Sequence, residues 1–307
     1  MRALVVGCKG QDGSYLMEQL RASGVEAHGV ARDGWHRADG TLAPVPVIGE
    51  LLAVLQPERI FHLAAFHHSS EDVLLNDAAI LRASIDVHLL GLLDYLEAMP
   101  RECRLFYAAS SHVFGIPRHS PQDETTPMEP VCPYGITKAA GVQLCRLYRE
   151  RHQRFCSAGF LYNHESPRRR GHFLSRKVAQ AAVAIARGEA RELVLGNLDA
   201  WVDWGYAPEY VDAMIRILNL DQPGDFVIAS GVLSSVRDFV AAVFAQVGLD
   251  WRDHVRLDPA VLTKPARGGR LVGDAARLRR LTGWHPVTDL TRLAALLVEA
   301  EWRAGPS

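Results

Sequence analysis

A glycine-rich loop near the start of the chain constrains the fold more than any other feature. Residues 7–13 read G-x-x-G-x-x-G, directly after an apolar run at 3–6 and before a helical pattern at 14–22. A tight turn, a close approach of the backbone to a pyrophosphate, and close packing of helix on strand each need a residue without a side chain. The N–H groups at the start of the helix then face the phosphates. The loop therefore predicts a dinucleotide site, in which the cofactor-binding candidates are Gly7, Gly10, Gln11, Asp12 and Gly13.

Past this loop, β-like and helical segments alternate along the first half of the chain. The β-like segments lie at 26–31, 44–48, 59–65 and 104–109, and the helical ones near 50–56, 80–99 and 134–151. Strands that alternate with helices of this length form βαβ units and a parallel sheet. Past residue 160 the pattern is less regular and richer in loops. We therefore predict an α/β fold, with a Rossmann-type doubly wound parallel sheet and a smaller, mixed α/β substrate-binding domain.

Composition restricts the function classes open to such a fold. The 307 residues suggest two domains, and Lys+Arg 34 against Asp+Glu 35 argues against a broad nucleic-acid-binding face. No uncharged apolar stretch reaches the roughly 18 residues of a membrane span. Five cysteines without a C-x-x-C pair fit reduced thiols better than disulfides or a zinc site. We expect a cytoplasmic protein that acts on a small molecule, with no metal, no nucleic acid and no membrane as partner.

A second motif, at residues 134–138, places Tyr134 and Lys138 four residues apart on one face of a helix. An ammonium beside a phenol lowers the pKa of the phenol, which makes a base for a sugar hydroxyl while hydride leaves. The strand end that precedes the helix carries Ser110, which can hydrogen-bond the same substrate oxygen. A Y-x-x-x-K spacing alone is common on surface helices, but together with the glycine loop it indicates oxidoreductase chemistry.

The end of the second β-like segment bears on the choice of cofactor. Arg32 and Asp33 lie about twenty residues after the loop, where a dinucleotide fold meets the ribose. An arginine there suits the 2′-phosphate of NADP, whereas Asp33 could bind the ribose of NAD. We predict NADP, with NAD as the alternative. His67 and His68 follow the β-like segment at 59–65 and either face the cofactor or lie on the surface.

These residues resemble the extended short-chain dehydrogenase/reductase family, whose signature is the glycine loop, a Ser/Thr at a strand end and Y-x-x-x-K. Further segments look like GDP-mannose 4,6-dehydratases, so that the resemblance covers nearly the whole chain; they lie at 10–16, 161–169, 196–200, 203–205, 226–229, 273–274 and 282–286. The resemblance implies that hydride leaves C4 of a GDP-linked hexose, water is lost across C5 and C6, and hydride returns to C6.

The resemblance also implies catalytic roles for four side chains. Tyr134 would be the base at C4, Lys138 the partner that lowers its pKa, and Ser110 the hydrogen-bonding hydroxyl. The family has a glutamate two residues after that hydroxyl, which removes the C5 proton and helps the C6 hydroxyl leave, but this chain has His112. An imidazole can do acid–base work near neutral pH. A dehydratase therefore stays open beside a 4-keto-6-deoxyhexose reductase or an epimerase without elimination, and beside a degenerate binding subunit.

The contacts that the resemblance implies for cofactor and substrate are spread over the chain. The further cofactor-binding candidates are Arg32, Ala64, Tyr134, Lys138, Asn163, His164 and Arg169. The substrate-binding candidates are Ser111, Asn163, Arg170, Lys177, Asn197, Lys264 and Arg267. The basic run at 168–170, with Arg176 and Lys177, is either a diphosphate site or a solvated loop. Two departures weaken the diphosphate contacts of the family, because Val202 and Lys264 stand where the family has arginines.

The resemblance further implies that the two domains are not consecutive halves. The dinucleotide domain would comprise residues 1–162 and again about 203–231, and the substrate domain 163–202 and 232–307. The stretch between Arg32 and Ile60 is shorter than in the family, where it helps to build a tetramer. We therefore predict a homodimer, with a tetramer as the alternative.

Overall fold

A sheet of eight strands lies at the centre of the computed structural model, which describes residues 1–66, 76–261 and 270–305. Its strand order is β12-β7-β6-β5-β1-β2-β3-β4 once the strands are numbered along the chain. The strands of the described ranges are β1 (Arg2–Val6), β2 (Glu26–Ala31), β3 (Gly34–His36), β4 (Leu42–Ala43), β5 (Arg59–His62), β6 (Arg104–Ala108), β7 (Phe155–Leu161), β8 (His164–Glu165), β9 (Leu193–Leu195), β10 (Trp201–Asp203), β11 (Gly205–Tyr206), β12 (Asp225–Ile228), β13 (Leu233–Ser235) and β14 (Val255–Leu257).

The six strands from β12 to β2 run parallel, and only β3 and β4 are antiparallel additions at one edge. The central strand β1 is buried from residue 3 to residue 6, as expected for a strand covered on both faces. The order reverses beside β1, since the chain builds β2 on one side of it and β5 to β7 on the other. The predicted Rossmann-type sheet is therefore confirmed.

Helices cover both faces of this sheet. The α-helices of the described ranges are α1 (Gln11–Ala22), α2 (Ile48–Leu55), α3 (Asp77–Ile85), α4 (Gly91–Ala98), α5 (Pro133–Arg151), α6 (Leu174–Ala186), α7 (Ala207–Ile217), α8 (Val236–Ala245), α9 (Ala276–Thr282) and α10 (Leu290–Ala304). One apolar core joins α2, α4 and α5 to the sheet, and a second joins α1, α7 and α9 to its other face. None of the helices in the described ranges is long and apolar enough to cross a membrane.

A third apolar core lies apart from the two that flank the sheet. It is built from α6, α8 and α10 and includes Trp204, which stacks on Phe239 with ring centroids 4.5 Å apart. Three two-stranded ladders accompany it, namely β8 with β11, β9 with β14, and β10 with β13. The domain limits given above stay a prediction, although this core draws on both of the chain segments assigned to the substrate domain.

Two segments differ from the expectation. The β-like segment predicted at 44–48 is not a strand, since β4 ends at Ala43 and α2 begins at Ile48. Pro44 and Pro46 have no N–H to give to a strand ladder. The single helix expected near 80–99 is two helices, because a π-helical stretch, Asp86–Leu90, separates α3 from α4.

Candidate active site

The glycine loop has the geometry that a dinucleotide requires. Gly7 has φ +93°, and a Cβ on it would lie 2.9 Å from the backbone nitrogen of Ala64 in the segment after β5. A Cβ on Gly13 would lie 2.2 Å from the carbonyl oxygen of Gly7. Helix α1 begins at Gln11, and its N-cap residue Gly10 makes no side-chain cap hydrogen bond, so the N–H groups at this end keep their capacity for an anion. The residues present therefore fit a pyrophosphate at the carboxyl ends of β1 and β5.

An ion pair fastens this loop to the segment after β7. The Nε2 atom of His164 lies 3.0 and 2.9 Å from the two carboxylate oxygens of Asp12, and its Nδ1 atom lies 2.7 Å from the carbonyl oxygen of Tyr162. Burial opposes both charges, but their attraction lowers the pKa of Asp12 and raises that of His164. Gln11 adds a hydrogen bond of 3.0 Å to the carbonyl oxygen of His164. Asp12 and His164 are both predicted cofactor-binding residues, and in the structure they bind each other.

The ribose end of the site is more cationic than the sequence indicates. Asp33 forms an ion pair with Lys9, and its other carboxylate oxygen lies 3.1 Å from Nε2 of His36. The hydrogen bonds from Lys9 and then from His36 lower the pKa of Asp33 to about 2. Arg32 is exposed next to this pair. Lys9 was missed in the sequence, where its only signal is a basic residue inside the glycine loop.

Three of the four predicted catalytic side chains meet at the carboxyl end of β6. The side chain of Ser110 is hydrogen-bonded to Tyr134, and its Oγ atom accepts a hydrogen bond of 3.3 Å from the backbone of His112. Lys138 is buried one turn along α5, donates a hydrogen bond of 2.8 Å to the carbonyl oxygen of Ala108, and places Nζ 5.8 Å from the centre of the Tyr134 ring. The arrangement joins the half-buried phenol of Tyr134 to a buried hydroxyl and a buried ammonium.

The protonation states differ from what the sequence led us to expect. Burial raises the pKa of Tyr134 to about 12, and the charge of Arg169 is the largest influence that opposes this rise. Burial also lowers the pKa of Lys138 to about 7. Lys138 is not among the main influences on the pKa of Tyr134 in this structure, and its Nζ atom donates to the carbonyl oxygen of Ala108 rather than to the phenol.

His112 lies beside the phenol on the short 3₁₀ turn Ser111–Phe114. Its ring meets the ring of Tyr134 edge to face, with centroids 5.7 Å apart and planes at 89°. Its Nδ1 atom lies 3.9 Å from Sγ of Cys132, which caps α5 and accepts a hydrogen bond of 3.3 Å from the N–H of Gly135. Cys132 was missed in the sequence, although a residue directly before a proline at a helix start is a recognisable cap position.

The basic run does not act as a unit. Arg168 binds the carboxylate of Glu18 at 2.6 and 2.8 Å and lies 3.9 Å over the ring of Tyr15, so it braces α1. Arg176 pairs with Glu301. Arg169 lies 3.3 Å from Glu165, and its charge reaches Tyr134.

The remaining candidates vary in exposure. Ser111 is only 3% exposed, whereas Asn163 and Arg170 are exposed and Lys177 is half-buried on α6. The Asn197 side chain accepts a hydrogen bond of 2.7 Å from the backbone of Asp199, which leaves its amide N–H groups for other partners. Lys264, Arg267, His67 and His68 lie outside the described residues. Across the described part of the chain, no group of three or more His, Cys, Asp or Glu side chains is placed to hold a metal ion.

Comparison with known proteins gives consistent matches over the full length. The sequence profile of the family described as GDP-mannose 4,6 dehydratase matches residues 4–297. The chain is 34% identical to GDP-mannose 4,6 dehydratase 1 of Arabidopsis thaliana, over 97% of this chain and 89% of that protein. It is 33% identical to GDP-mannose 4,6-dehydratase of Sinorhizobium fredii, over 97% of this chain and 96% of that protein.

Solved structures show the same fold at lower identity. The chain superposes on RMD from Pseudomonas aeruginosa, complexed with NADPH, with a TM-score of 0.82, 20% identity and 99% of both chains covered. A putative epimerase from Burkholderia cenocepacia gives a TM-score of 0.82 at 24% identity, over 99% of this chain and 98% of that chain.

Proposed function

Because the chain belongs to the GDP-mannose 4,6-dehydratase family of extended short-chain dehydrogenases, we propose that it is an NADP-dependent enzyme that dehydrates a GDP-linked hexose. The observation that carries this proposal is the cluster of Ser110, Tyr134 and Lys138 together with a glycine loop that admits no Cβ at Gly7 or Gly13. Such a cluster serves proton transfer at a carbon that exchanges hydride.

The bound cofactor would accept a hydride from the sugar and return it later. Gly7, Gly10 and Gly13 would hold its pyrophosphate at the start of α1. Lys9 and Arg32 would bind a 2′-phosphate, because the ion pair with Lys9 already neutralises the charge of Asp33. This charge pattern favours NADP over NAD.

Tyr134 would take the proton of the C4 hydroxyl, and Ser110 would hold the same oxygen. A phenol with a pKa near 12 needs nearby cations to lose its proton at neutral pH. Lys138 and Arg169 are the cations that the structure supplies around the ring, and the charge of Arg169 already lowers the pKa of the phenol.

His112 would carry out the elimination. A keto group at C4 acidifies the C5–H bond, so the neutral imidazole takes the C5 proton. The C5–H electron pair forms the C5=C6 double bond, and the same imidazolium gives its proton to the C6 hydroxyl, which leaves as water. The position beside Tyr134, with ring centroids 5.7 Å apart, supports a role on the same sugar.

One observation favours a second candidate function. The residue that separates dehydration from oxidoreduction in the family is a glutamate, and His112 has a different reach and charge. A 4-keto-6-deoxyhexose reductase or an epimerase would use Ser110, Tyr134 and Lys138 without elimination.

The product of a single incubation separates these functions. With GDP-mannose and catalytic NADP, a dehydratase forms a product lighter by one water, which mass spectrometry detects. A reductase leaves GDP-mannose unchanged and consumes NADPH on the GDP-linked 4-keto-6-deoxy sugar. His112→Ala should abolish the loss of water, whereas His119→Ala, at an exposed histidine a few residues on, should retain it. Loss of water that survives His112→Ala contradicts the role given to the imidazole.

Further assignments complete the proposal. Asn163, Arg170, Lys177 and Asn197 would contact the nucleotide sugar, together with Ser111 once the segment around it adjusts. We also propose that the protein is a homodimer. We further propose a cytoplasmic location, in line with five cysteines that are all free, four of them buried. Analytical ultracentrifugation distinguishes a dimer from a tetramer.

A further inference from the structure

A histidine that the proposed chemistry does not use lies against the tyrosine base. His88 is fully buried, and its ring meets that of Tyr134 edge to face, with centroids 5.4 Å apart and planes at 82°. It lies in the π-helical stretch Asp86–Leu90, between α3 and α4. Such stretches inside helices occur often at functional sites.

The hydrogen bonds of His88 define one tautomer. The backbone N–H of Phe66 can only donate, and it lies 3.0 Å from Nε2, so Nε2 is the acceptor. A neutral imidazole then carries its proton on Nδ1. Nδ1 lies 2.8 Å from Oγ1 of Thr137 and donates to it.

The hydrogen bonds keep the same donor-to-acceptor direction from His88 through Thr137 to the backbone of Tyr134. The threonine hydroxyl accepts from His88, so its own proton is directed to a backbone carbonyl. The carbonyl oxygen of Tyr134 lies 3.1 Å from Oγ1, and that of Pro133 lies 3.2 Å away. The result is a chain with one polarity, from the N–H of Phe66 through His88 and Thr137 to the first turn of α5. Thr137 is 1% exposed, so water does not compete for these bonds.

The two ends of this chain lie at two parts of the proposed site. Phe66 comes two residues after Ala64, whose backbone nitrogen would lie 2.9 Å from a Cβ on Gly7. The other end is the backbone of Tyr134. Phe66 and Tyr134 are about seventy residues apart in the sequence and lie on different elements, so the hydrogen bonds and not the covalent backbone link them.

We propose that His88 is a positioning residue that couples occupancy of the dinucleotide site to the placement of Tyr134. A ligand that orders the segment at 63–66 stabilises, through His88 and Thr137, the first turn of α5 and the phenol on it. The coupling rests on the proposed function, because it takes the glycine loop as the dinucleotide site and Tyr134 as the base.

A pair of variants at Thr137 isolates the chain from the packing around it. Thr137→Val keeps the shape of the side chain but neither accepts nor donates a hydrogen bond, whereas Thr137→Ser keeps the hydroxyl. His88→Asn breaks the other end, since its amide can reach Thr137 but not the N–H of Phe66. Val142→Ala is the matched control, because Val142 is fully buried on the same helix and contributes to the core rather than to the chain.

Hydrogen–deuterium exchange with and without NADPH measures the coupling directly. In the wild type, NADPH should slow exchange in both 63–66 and 134–138. In Thr137→Val and His88→Asn, protection should persist at 63–66 and be lost at 134–138, while Thr137→Ser and Val142→Ala should match the wild type. The kcat of the two broken variants should fall by about tenfold to a hundredfold, as expected for a misplaced base, while the two control variants should keep the wild-type kcat.

The outcomes distinguish this coupling from the proposed function. If NADPH protects both segments equally in Thr137→Val and His88→Asn, His88 has no coupling role, although the proposed function stands. Loss of protection in Val142→Ala as well attributes the effect to general loosening of α5 and also overturns the proposal. A wild type that does not bind NADPH contradicts the proposed function and the coupling together.

Discussion

Removal of the buried ammonium of Lys138 should change how stability depends on pH. Burial lowers the pKa of this lysine to about 7 in the folded chain, against about 10.4 when it is unfolded. Between these two pH values the unfolded chain carries a proton on Lys138 that the folded chain lacks. Lys138 therefore destabilises the fold at neutral pH, and this destabilisation disappears as the pH rises. Lys138→Met removes this contribution while keeping a side chain of similar length.

The magnitude follows from the two pKa values. At pH 7 the unfolded chain gains about 4 kcal/mol from protonation of Lys138, and at pH 9 about 2 kcal/mol, at 1.36 kcal/mol per unit. The stability of Lys138→Met relative to the wild type should therefore fall by about 2 kcal/mol between pH 7 and pH 9. Other titrating groups, such as buried cysteines and tyrosines, are common to both proteins and cancel in the difference.

Urea unfolding of both proteins at a series of pH values measures this difference. Between pH 5 and pH 6 both folded and unfolded wild-type chains are protonated at Lys138, so the difference should be constant there and serves as an internal control. A difference that stays flat from pH 7 to pH 9 refutes the reasoning, because it means that the ammonium is not desolvated in the fold. Activity should be lost in the variant at every pH, since the proposed function takes Lys138 as a cation that stabilises the phenolate.

Four further changes have expected outcomes of their own. Gly13→Ala should weaken NADPH binding by at least about tenfold, measured by NADPH fluorescence, because its Cβ would meet the Gly7 carbonyl oxygen at 2.2 Å. Lys9→Ala should raise the Kd of NADPH about tenfold and leave that of NADH within about twofold, by isothermal calorimetry. Asp12→Asn should destabilise the chain most between about pH 4 and pH 6.5, in chemical unfolding, because the raised pKa of His164 and the lowered pKa of Asp12 place the full ion-pair contribution in that window. Iodoacetamide should modify Cys132 before the other four cysteines, by peptide mass mapping, since those four are buried.

Each of these has a contrary result. Unchanged NADPH binding in Gly13→Ala would remove the pyrophosphate from the glycine loop. Equal effects of Lys9→Ala on NADPH and NADH would show that Lys9 does not read the 2′-phosphate. A loss of stability in Asp12→Asn that is uniform from pH 4 to pH 9 would mean that the partner is not an ionised histidine. Modification of a buried cysteine first would contradict the placement of Cys132.

The sequence predicts those features that are local or that repeat along the chain. The glycine loop, the strand–helix alternation and the Y-x-x-x-K spacing each lie within one or two elements, so the sheet and the meeting of Ser110 with Tyr134 could be anticipated. The hairpin of β3 and β4 could not be anticipated. The pattern at residues 44–48 resembles a strand, but the prolines in it end the strand at Ala43.

Features that depend on contacts between distant segments were out of reach. Lys9 pairs with Asp33 across two loops, and Asp12 pairs with a histidine that lies 152 residues later. His88 reads in the sequence as one more residue of a helix, and only the π-helical stretch and the burial of its ring reveal the chain to Thr137. The direction in which the pKa of Tyr134 shifts also depends on burial, and a spacing pattern in the sequence does not show burial.

The fate of C5 in deuterated water tests the central claim most directly. Wild-type protein, GDP-mannose and catalytic NADP in deuterium oxide should give a GDP-linked 4-keto-6-deoxy sugar that carries deuterium at C5, visible as the loss of that proton signal by NMR. His112→Ala should form no such product. Unchanged GDP-mannose with a fully protonated C5, together with NADPH-dependent reduction of the 4-keto-6-deoxy sugar, would contradict the dehydratase and leave a reductase built on the same tyrosine and lysine.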